Sequence, residues 1–411
     1  MSDNQGAASQ FGEDEARRFW EEARRNADLR PADFTGKRLP VDPDGRGFCG
    51  ITFKHPVSFK GAVFEGLANS KAATFQENVN FAGAEFRGGA CFQDAKWLEM
   101  NRCADFSEAV FRGVAEFRSL ESPQFAVPVL FWKATFDEDA YFHRATFAQH
   151  ANFLQTAFHA KAIFRGACFN ADAEFGEAQF KSYADFGGAS FRKSAAFGGV
   201  TFGSEADFKR ATFQSKAFFP GVRAASSVTF SLPGEKPRPF QCPQAEESAY
   251  RLAKKSAQHT GDYRRAGEYH YAEQCAINCQ QRKGISAPPW KLAFWWGEKS
   301  ALRAYFEYVF GRGVFGYGEK PLRPLLAGVA VILACALVYW LFSGACHSTA
   351  TAEVAGFFDS LYFSIVTFTT LGYGDLRPIA TTFRLIAAGE ALSGAALMAL
   401  FVVSLARRFT R

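Results

Sequence analysis

The chain has 411 residues, of which 48% are hydrophobic and 21% charged, and its formal net charge is +6. This length accommodates two or three domains, and the composition fits a protein that is partly soluble and partly embedded in a membrane. Much of the positive charge flanks two apolar segments near the C-terminus instead of forming a basic groove, which argues against a nucleic-acid partner.

The N-terminal segment and the nine cysteines carry little functional signal. Residues 1–48 are polar and charged, without the apolar stretch of a secretory signal, so we expect them to be partly helical and cytoplasmic. The cysteines are irregularly spaced and predict no disulfide framework. Cys275 and Cys279 lie near His270 but have no convincing fourth ligand, so we expect no metal site.

Residues 49–232 contain a repeat marked by phenylalanine. From Phe131 to Phe219 the aromatic positions alternate between steps of five and six residues, and a small residue lies two positions before most of them. Such steps do not keep to one face of a helix. A chain that turns a corner at each step, with one small residue and one phenylalanine pointing inward, instead forms a closed coil around a column of rings.

This segment resembles the pentapeptide-repeat family. The resemblance implies a right-handed quadrilateral β-helix, here centred on phenylalanine, with about 22 residues per coil and about eight coils. Irregular spacing at Trp97, Cys103 and Pro123 predicts a bulged coil. Some members of the family imitate DNA, but 19 Lys or Arg against 18 Asp or Glu between Cys49 and Phe230 exclude that function here.

Residues 233–285 are predicted to form a cytoplasmic helical hairpin that links the repeats to the rest of the chain. Apolar residues recur at helical spacing in 245–259 and 262–280, and Gly261 lies at the turn. The hairpin could act as a packing spacer or as a coupler that transmits force. Residues 286–322 are rich in aromatic and basic residues, which is typical of a helix at the cytoplasmic membrane surface.

Residues 323–411 contain two candidate membrane spans. Residues 325–342 are free of charge, and 385–406 contain one charge, Glu390. Basic residues precede the first span and follow the second, which predicts a multi-pass protein of the cell (inner) membrane with both termini in the cytoplasm. A carboxylate inside a span is a functional candidate. Glu390 either supports a nearby site or only makes a hydrogen bond between helices.

A short apolar helix and a glycine-containing motif lie between the spans. Residues 357–368 are too few to cross a bilayer, so this helix is predicted to enter halfway and return as extended backbone. The sequence Thr-Leu-Gly-Tyr-Gly-Asp follows at 370–375, where glycines allow successive carbonyls to face one axis. Rings of carbonyls can replace the hydration shell of a potassium ion. A second Gly-Tyr-Gly, at 316–318, lacks preceding threonines and is predicted to be a turn.

Residues 323–411 resemble the bacterial two-transmembrane potassium channels. The resemblance implies an all-α pore with a re-entrant helix, assembled as a homotetramer in the lipid bilayer. The implied filter residues are Thr370, Leu371, Gly372, Tyr373 and Gly374, with support from Thr369, Asp375 and Glu390. The resemblance also implies a gating hinge at Gly394 and an inner cavity lined by Ala395, Met398 and Val402. Leu371 stands where Val or Ile is commoner, and Val366 replaces a carboxylate found in some relatives.

The sequence thus predicts a potassium-selective channel subunit and not an enzyme, with K⁺ as the permeant ion and no cofactor. Since no span carries arginine at every third position, gating is assigned to the repeat domain and to an unidentified cytoplasmic protein or ligand. Two alternatives remain: a non-selective monovalent cation channel, and a membrane-tethered scaffold with a vestigial pore.

Overall fold

A computed structural model describes residues 12–98, 103–119, 124–237, 239–282, 307–342, 346–348, 356–378 and 380–409. The chain divides into two compact units, Met1–Ile277 and Asn278–Arg411. The first unit is a parallel β-solenoid with helices at both ends, and the second is largely helical. The solenoid and the helical domain with two apolar spans, both predicted from the sequence, are confirmed.

Each coil of the solenoid has four sides, and strands of two or three residues from successive coils pair in parallel to form four faces. Face 1 contains β1 Ala32–Asp33, β4 Val57–Ser58, β8 Val79–Asn80, β12 Ala104–Asp105, β15 Val129–Leu130, β19 Ala151–Asn152, β23 Ala173–Glu174, β27 Ala195–Ala196 and β31 Ala217–Phe218. Face 2 contains β2 Arg38–Leu39, β5 Val63–Phe64, β9 Glu85–Phe86, β13 Val110–Phe111, β16 Thr135–Phe136, β20 Ala157–Phe158, β24 Gln179–Phe180, β28 Thr201–Phe202 and β32 Arg223–Ala224.

The chain passes from face 2 to face 3 and then to face 4 before it returns to face 1. Face 3 contains β6 Ala68–Asn69, β10 Ala90–Cys91, β14 Ala115–Glu116, β17 Ala140–Tyr141, β21 Ala162–Ile163, β25 Ala184–Asp185, β29 Ala206–Phe208 and β33 Val228–Phe230. Face 4 contains β3 Thr52–Phe53, β7 Thr74–Phe75, β11 Lys96–Trp97, β18 Thr146–Phe147, β22 Cys168–Phe169, β26 Ser190–Phe191 and β30 Thr212–Phe213. Phe125 bridges the gap in face 4 between β11 and β18.

The core consists of columns of phenylalanine rings, one column for each face. Rings stack along a column, as Phe153 does on Phe175 with centroids 4.9 Å apart and planes 1° apart. Rings of opposite faces meet edge to face, as Phe153 of face 1 meets Phe164 of face 3 at 5.3 Å and 90°. Both arrangements are favourable for aromatic quadrupoles and contribute about 0.5–1.5 kcal/mol per pair beyond the burial of area.

Two kinds of corner explain why the steps alternate between five and six residues. The five-residue step from Phe131 to Phe136 turns tightly through Lys133, whose φ of 55° lies in the left-handed region. The six-residue step from Phe136 to Phe142 uses a wider bend. The eleven-residue unit is therefore two sides joined by one corner of each kind.

The solenoid begins earlier than the predicted boundary at residue 49 and has about nine coils instead of eight. Ala32 pairs with Val57, and Leu39 takes an inward position that phenylalanine takes in later coils. The register is 25 residues between β10 and β14, against 22 between β21 and β25, and residues 99–102 and 120–123 of the predicted bulged coil lie outside the described residues. The first coil also has a register of 25 residues, which reflects a longer corner. Such a corner, at residues 40–47, interrupts the spacing on which the predicted boundary rested.

Helices cover both ends of the solenoid. Helix α1, Glu13–Leu29, covers the first coil, and the Trp20 indole donates a 2.9 Å hydrogen bond to the Pro40 carbonyl. Helices α2, Pro243–His259, and α3, Tyr263–Arg282, form the predicted hairpin and cover the last coil, where the Tyr250 hydroxyl donates to the Ser231 carbonyl at 2.9 Å. The hairpin therefore has a packing role; a coupling role stays a prediction.

The second unit contains the two spans and the short helix between them. Residues Glu307–Phe315 form a π-helix, and Gly316–Gly318 form a 3₁₀ turn. The helices that follow are α4 Leu322–Leu341, α5 Phe357–Phe368 and α6 Thr381–Phe409, and the short antiparallel strands are β34 Cys346–Ser348 and β35 Leu376–Pro378. Helices α4 and α6 are long and apolar enough to cross a membrane. Of the predicted membrane-surface segment, residues 286–306 lie outside the described residues.

Candidate functional site

The motif that follows α5 has an alternating backbone. Thr370, Gly372 and Gly374 have φ of 58°, 55° and 78°, in the left-handed region, whereas Leu371 and Tyr373 between them do not. Glycine adopts such angles without a steric cost, because it has no Cβ. The two glycines thus take angles that a side chain would oppose, as the sequence predicted; the alignment of the carbonyls along one axis stays a prediction.

Thr370 shares this conformation although it carries a Cβ, which costs about 1–2 kcal/mol. Strain of this kind is typical of sites where function fixes the backbone. The Thr370 hydroxyl donates to the Thr369 carbonyl at 2.7 Å, and the Thr369 hydroxyl donates to the Ile365 carbonyl at 2.7 Å. Within the single chain, the side chains of Leu371 and Tyr373 are 61% and 69% exposed.

The second Gly-Tyr-Gly does not share this geometry. Gly316, Tyr317 and Gly318 have φ of 59°, 53° and 81°, so three successive residues are left-handed and no alternation arises. They form a tight turn before α4, as the lack of preceding threonines predicted. The two Gly-Tyr-Gly triplets therefore differ in backbone conformation, and only in the one after α5 does the tyrosine lack a positive φ.

Phe368, the last residue of α5, is held between the two long helices by glycines. Gly328 of α4 faces the Phe368 ring, and a Cβ there would lie 2.9 Å from the ring. Gly394 of α6 faces the Phe368 carbonyl, and a Cβ there would lie 2.0 Å from its oxygen. Gly394 was predicted as a hinge; the structure gives it a second reason to be glycine, the close approach of α6 to the end of α5.

Glu390 links all three helices of this unit. Its carboxylate is buried, with 3% exposed, and accepts a 2.9 Å hydrogen bond from the Tyr339 hydroxyl of α4. It also accepts a hydrogen bond from the Ser364 hydroxyl of α5. Ser364 lies one helical turn before Phe368, so the network fixes α5 close to the motif at 370–375. Sequence reasoning singled out Glu390 but missed Ser364 and Tyr339, whose only signal was a polar atom within an apolar helix.

The remaining predicted site residues lie at the end of the motif and on α6. Asp375, the last residue of the motif, accepts a hydrogen bond from the Tyr362 hydroxyl of α5, a partner that the sequence did not indicate. Ala395, Met398 and Val402 share one face of α6 at steps of three and four residues and are exposed in the single chain. Among the described residues, no group of three or more His, Cys, Asp or Glu side chains is arranged to hold a metal ion.

Comparison with protein families finds two matches along the chain. Residues 326–411 match the ion channel family, and residues 48–96 and 131–179 match pentapeptide repeats, described as nine copies. No solved structure matches the chain. The ion channel match contains most of α4, all of α5, the motif at 370–375 and α6. The repeat matches lie in the solenoid.

Two curated relatives match short parts of the chain. One is the two pore potassium channel a of Oryza sativa subsp. japonica, 36% identical over 92 residues, which are 21% of this chain and 26% of the relative. Another is the potassium channel subfamily T member 1 of Gallus gallus, 45% identical over 51 residues, which are 12% of this chain and 4% of the relative. The chain thus spans about a quarter or less of each relative's length. With both family matches, the chain is a fusion of pentapeptide repeats with an ion channel domain.

Proposed function

We propose that four copies of residues 323–411 form a potassium-selective pore through the cell membrane, with both termini in the cytoplasm. The observation that carries this proposal is the alternating backbone from Thr370 to Gly374. Four such segments around one axis would stack rings of carbonyl oxygens, and oxygen rings replace the water around a dehydrated potassium ion. The similarity to relatives named as potassium channels supports the same conclusion.

The short helix α5 supplies the electrostatic part of this function. Its twelve residues end at Phe368, directly before the filter motif, so its carboxyl end faces the start of the filter. The aligned peptide dipoles place a partial negative charge of about half an electron there. That charge favours a cation over an anion at the inner mouth of the filter.

The packing next to the motif favours the predicted supporting role of Glu390. The Ser364 and Tyr339 hydroxyls both donate to Glu390, and Gly394 lets α6 approach the Phe368 carbonyl. A filter that selects potassium by its carbonyl oxygens must keep the rings of oxygens from contracting around smaller cations. We therefore assign Glu390 to filter support and leave ion coordination to the backbone.

The repeat domain is proposed to regulate the pore. The hairpin is bound to the last coil through Tyr250 and Tyr269, so the solenoid and its caps form one compact unit that ends at Ile277. A compact unit can deliver force to a neighbouring helix, which a loose linker cannot. Deletion of residues 1–285 should change the open probability of the reconstituted channel, and unchanged gating would contradict regulation.

The test of conduction is ion flux into liposomes that contain the purified full-length chain. We expect barium-sensitive rubidium uptake and, in mixed potassium and sodium solutions, a reversal potential near that of potassium. Gly372→Ala should abolish selective flux because a Cβ opposes the left-handed φ of 55°. Leu371→Val is the matched control, since it keeps every backbone carbonyl and should conduct like the original chain.

The alternatives give different results in the same experiment. A reversal potential near zero would identify a non-selective monovalent cation channel. If neither the original chain nor Gly372→Ala gave any flux although both were correctly inserted, the conduction proposal would be overturned. That result would favour a membrane-tethered scaffold. A monomer in native lipid would contradict the tetramer.

A further inference from the structure

The last coil and the hairpin enclose a cleft of about 730 Å³. One wall is the segment from Lys216 to Val222, which includes the end of face 1, and the other wall is α2. The volume lies within the usual range for small-molecule sites, about 300–1,000 Å³. The cleft belongs to the first unit and is far in sequence from the filter.

The solenoid wall departs from the repeat pattern at Phe218. This residue takes the outward position of its strand, which Asn152 and Glu174 take in earlier coils. Its ring is 47% exposed and makes no contact with another ring among the described residues. The partly buried Leu252 of α2 contributes apolar surface to the opposite wall. An exposed aromatic ring facing a concave apolar surface offers a stacking surface for a planar ligand.

The two walls also carry positive charge. Lys216 lies on the solenoid wall, and Arg251 and Lys255 lie on α2. Arg251 is neutralised by Glu273 at 3.0 Å and by Glu247. Within the described part of the chain, neither lysine has an acidic partner, and the cleft lining contains no Asp or Glu. Two unneutralised ammonium groups on facing walls favour a dianion between them.

We propose that this cleft binds a small aromatic phosphate, with its ring against Phe218 and Leu252 and its phosphate between Lys216 and Lys255. The ligand would join the solenoid to α2 and so stabilise the attachment of the hairpin. The proposal concerns binding by the repeat domain and does not require that the pore conduct, so its test is separate from the flux experiment.

The test is equilibrium dialysis of adenosine monophosphate against the full-length chain in detergent. We expect saturable binding, and a loss of affinity of about tenfold or more in the Lys216→Ala/Lys255→Ala double variant. Phe218→Ala should weaken binding as well, because it removes the ring surface. Adenosine, which lacks the phosphate, and inorganic phosphate, which lacks the ring, should each bind at least about tenfold more weakly.

Lys209→Ala is the matched control, since it removes a lysine that follows β29 on face 3, outside the cleft lining. It should leave the affinity unchanged. Thermal unfolding of each variant shows whether the solenoid is intact. Absence of saturable binding to folded protein would overturn the proposal. The proposal would also be overturned if adenosine or inorganic phosphate bound as tightly as adenosine monophosphate. The same holds if the double variant bound adenosine monophosphate as tightly as the original chain does.

Discussion

Asparagine and aspartate directly before a buried phenylalanine stabilise the tight corners. The Asn152 side chain accepts a hydrogen bond from the Leu154 amide at 2.8 Å, and Asp185 accepts one from the Gly187 amide at 2.7 Å. These are Asx turns, in which a short polar side chain takes a backbone donor that the corner would otherwise leave without a partner. The dipeptides Asn-Phe and Asp-Phe in the sequence therefore mark the five-residue steps.

Asn152→Ala should weaken one such corner without unfolding its neighbours. The lost hydrogen bond is worth about 1 kcal/mol, and a solenoid responds locally because each coil contacts only the next. Hydrogen exchange of the Leu154 amide should therefore accelerate about fivefold. Asn152→Asp, which keeps the acceptor, is the control. Unchanged protection of Leu154 in the alanine variant would show that the side chain does not hold the corner.

Gly394→Ala separates two interpretations of one glycine. The new Cβ would lie 2.0 Å from the Phe368 carbonyl oxygen, so α6 and α5 must move apart. We expect a loss of about 1–3 kcal/mol in stability together with a loss of potassium flux. Gly389→Ala is the control, because nothing lies within 4 Å of its Cβ. A Gly394→Ala channel with the original melting temperature and altered opening would instead support the predicted hinge.

At the scale of elements, a buried ion cluster holds the hairpin together. Glu273 of α3 lies 3.0 Å from Arg251 and 2.5 Å from Lys254, both of α2, and is 3.9 Å from His270. Burial opposes ionisation of Glu273, but hydrogen bonds from His270, Lys254 and Arg251 outweigh it and lower its pKa from 4.5 to about 2. The cluster therefore stabilises the pairing of α2 with α3 while the carboxylate is charged.

The hairpin should loosen in acid. Because the folded pKa of Glu273 lies below the unfolded value, its contribution is complete above pH 4.5 and disappears as the pH falls toward 2. After screening by solvent this contribution is about 1–2 kcal/mol. Hydrogen exchange in α3 should accelerate between pH 4.5 and 2. Glu273→Gln should show weaker protection at neutral pH and a flatter acid response; an identical acid response would contradict this role.

The elements that the sequence predicted are those with a repeated physical signal. The five- and six-residue steps predicted a closed coil because only a corner at each step keeps every phenylalanine inside, and the resemblance to pentapeptide repeats implied its four sides. The first coil was missed because Leu39 replaces phenylalanine and because residues 40–47 form a loop that alters the spacing. That loop is held by the Asp42 carboxylate, which accepts hydrogen bonds from Arg24 at 2.5 Å and from the Gly47 amide at 2.6 Å.

The candidate site was predictable only where the motif is local. The glycines at 372 and 374 allowed a left-handed backbone to be predicted from the sequence. The left-handed φ of Thr370 could not be predicted, because a residue with a Cβ rarely takes that conformation. Glu390 stood out as a charge in an apolar span. Its partners Ser364 and Tyr339 lie on other helices, and only the packing of α4, α5 and α6 brings them to the carboxylate.

At the scale of the whole molecule, a solenoid has two open ends that expose unpaired strand edges and core rings. Such edges invite association with other chains. Here α1 covers one end, where Trp20 packs on Phe48 at 5.1 Å, and the hairpin covers the other. The cap at the second end also supplies hydrogen bonds to the backbone of β33, the terminal strand of face 3.

Removal of those hydrogen bonds should expose the end of the solenoid. The Ser256 hydroxyl accepts from the Val228 amide at 2.8 Å, and the Tyr269 hydroxyl lies 3.1 Å from both the amide nitrogen and the carbonyl oxygen of Phe230. Ser256→Ala with Tyr269→Phe leaves these buried groups without partners, at about 1–3 kcal/mol each. We expect the hairpin to detach and β33 to pair with other chains, so that light scattering reports assemblies larger than those of the original chain.

The control for this prediction is Tyr263→Phe, which removes an exposed hydroxyl from the start of α3 and should leave the assembly unchanged. An unaltered assembly in the double variant would show that ring packing alone secures the cap.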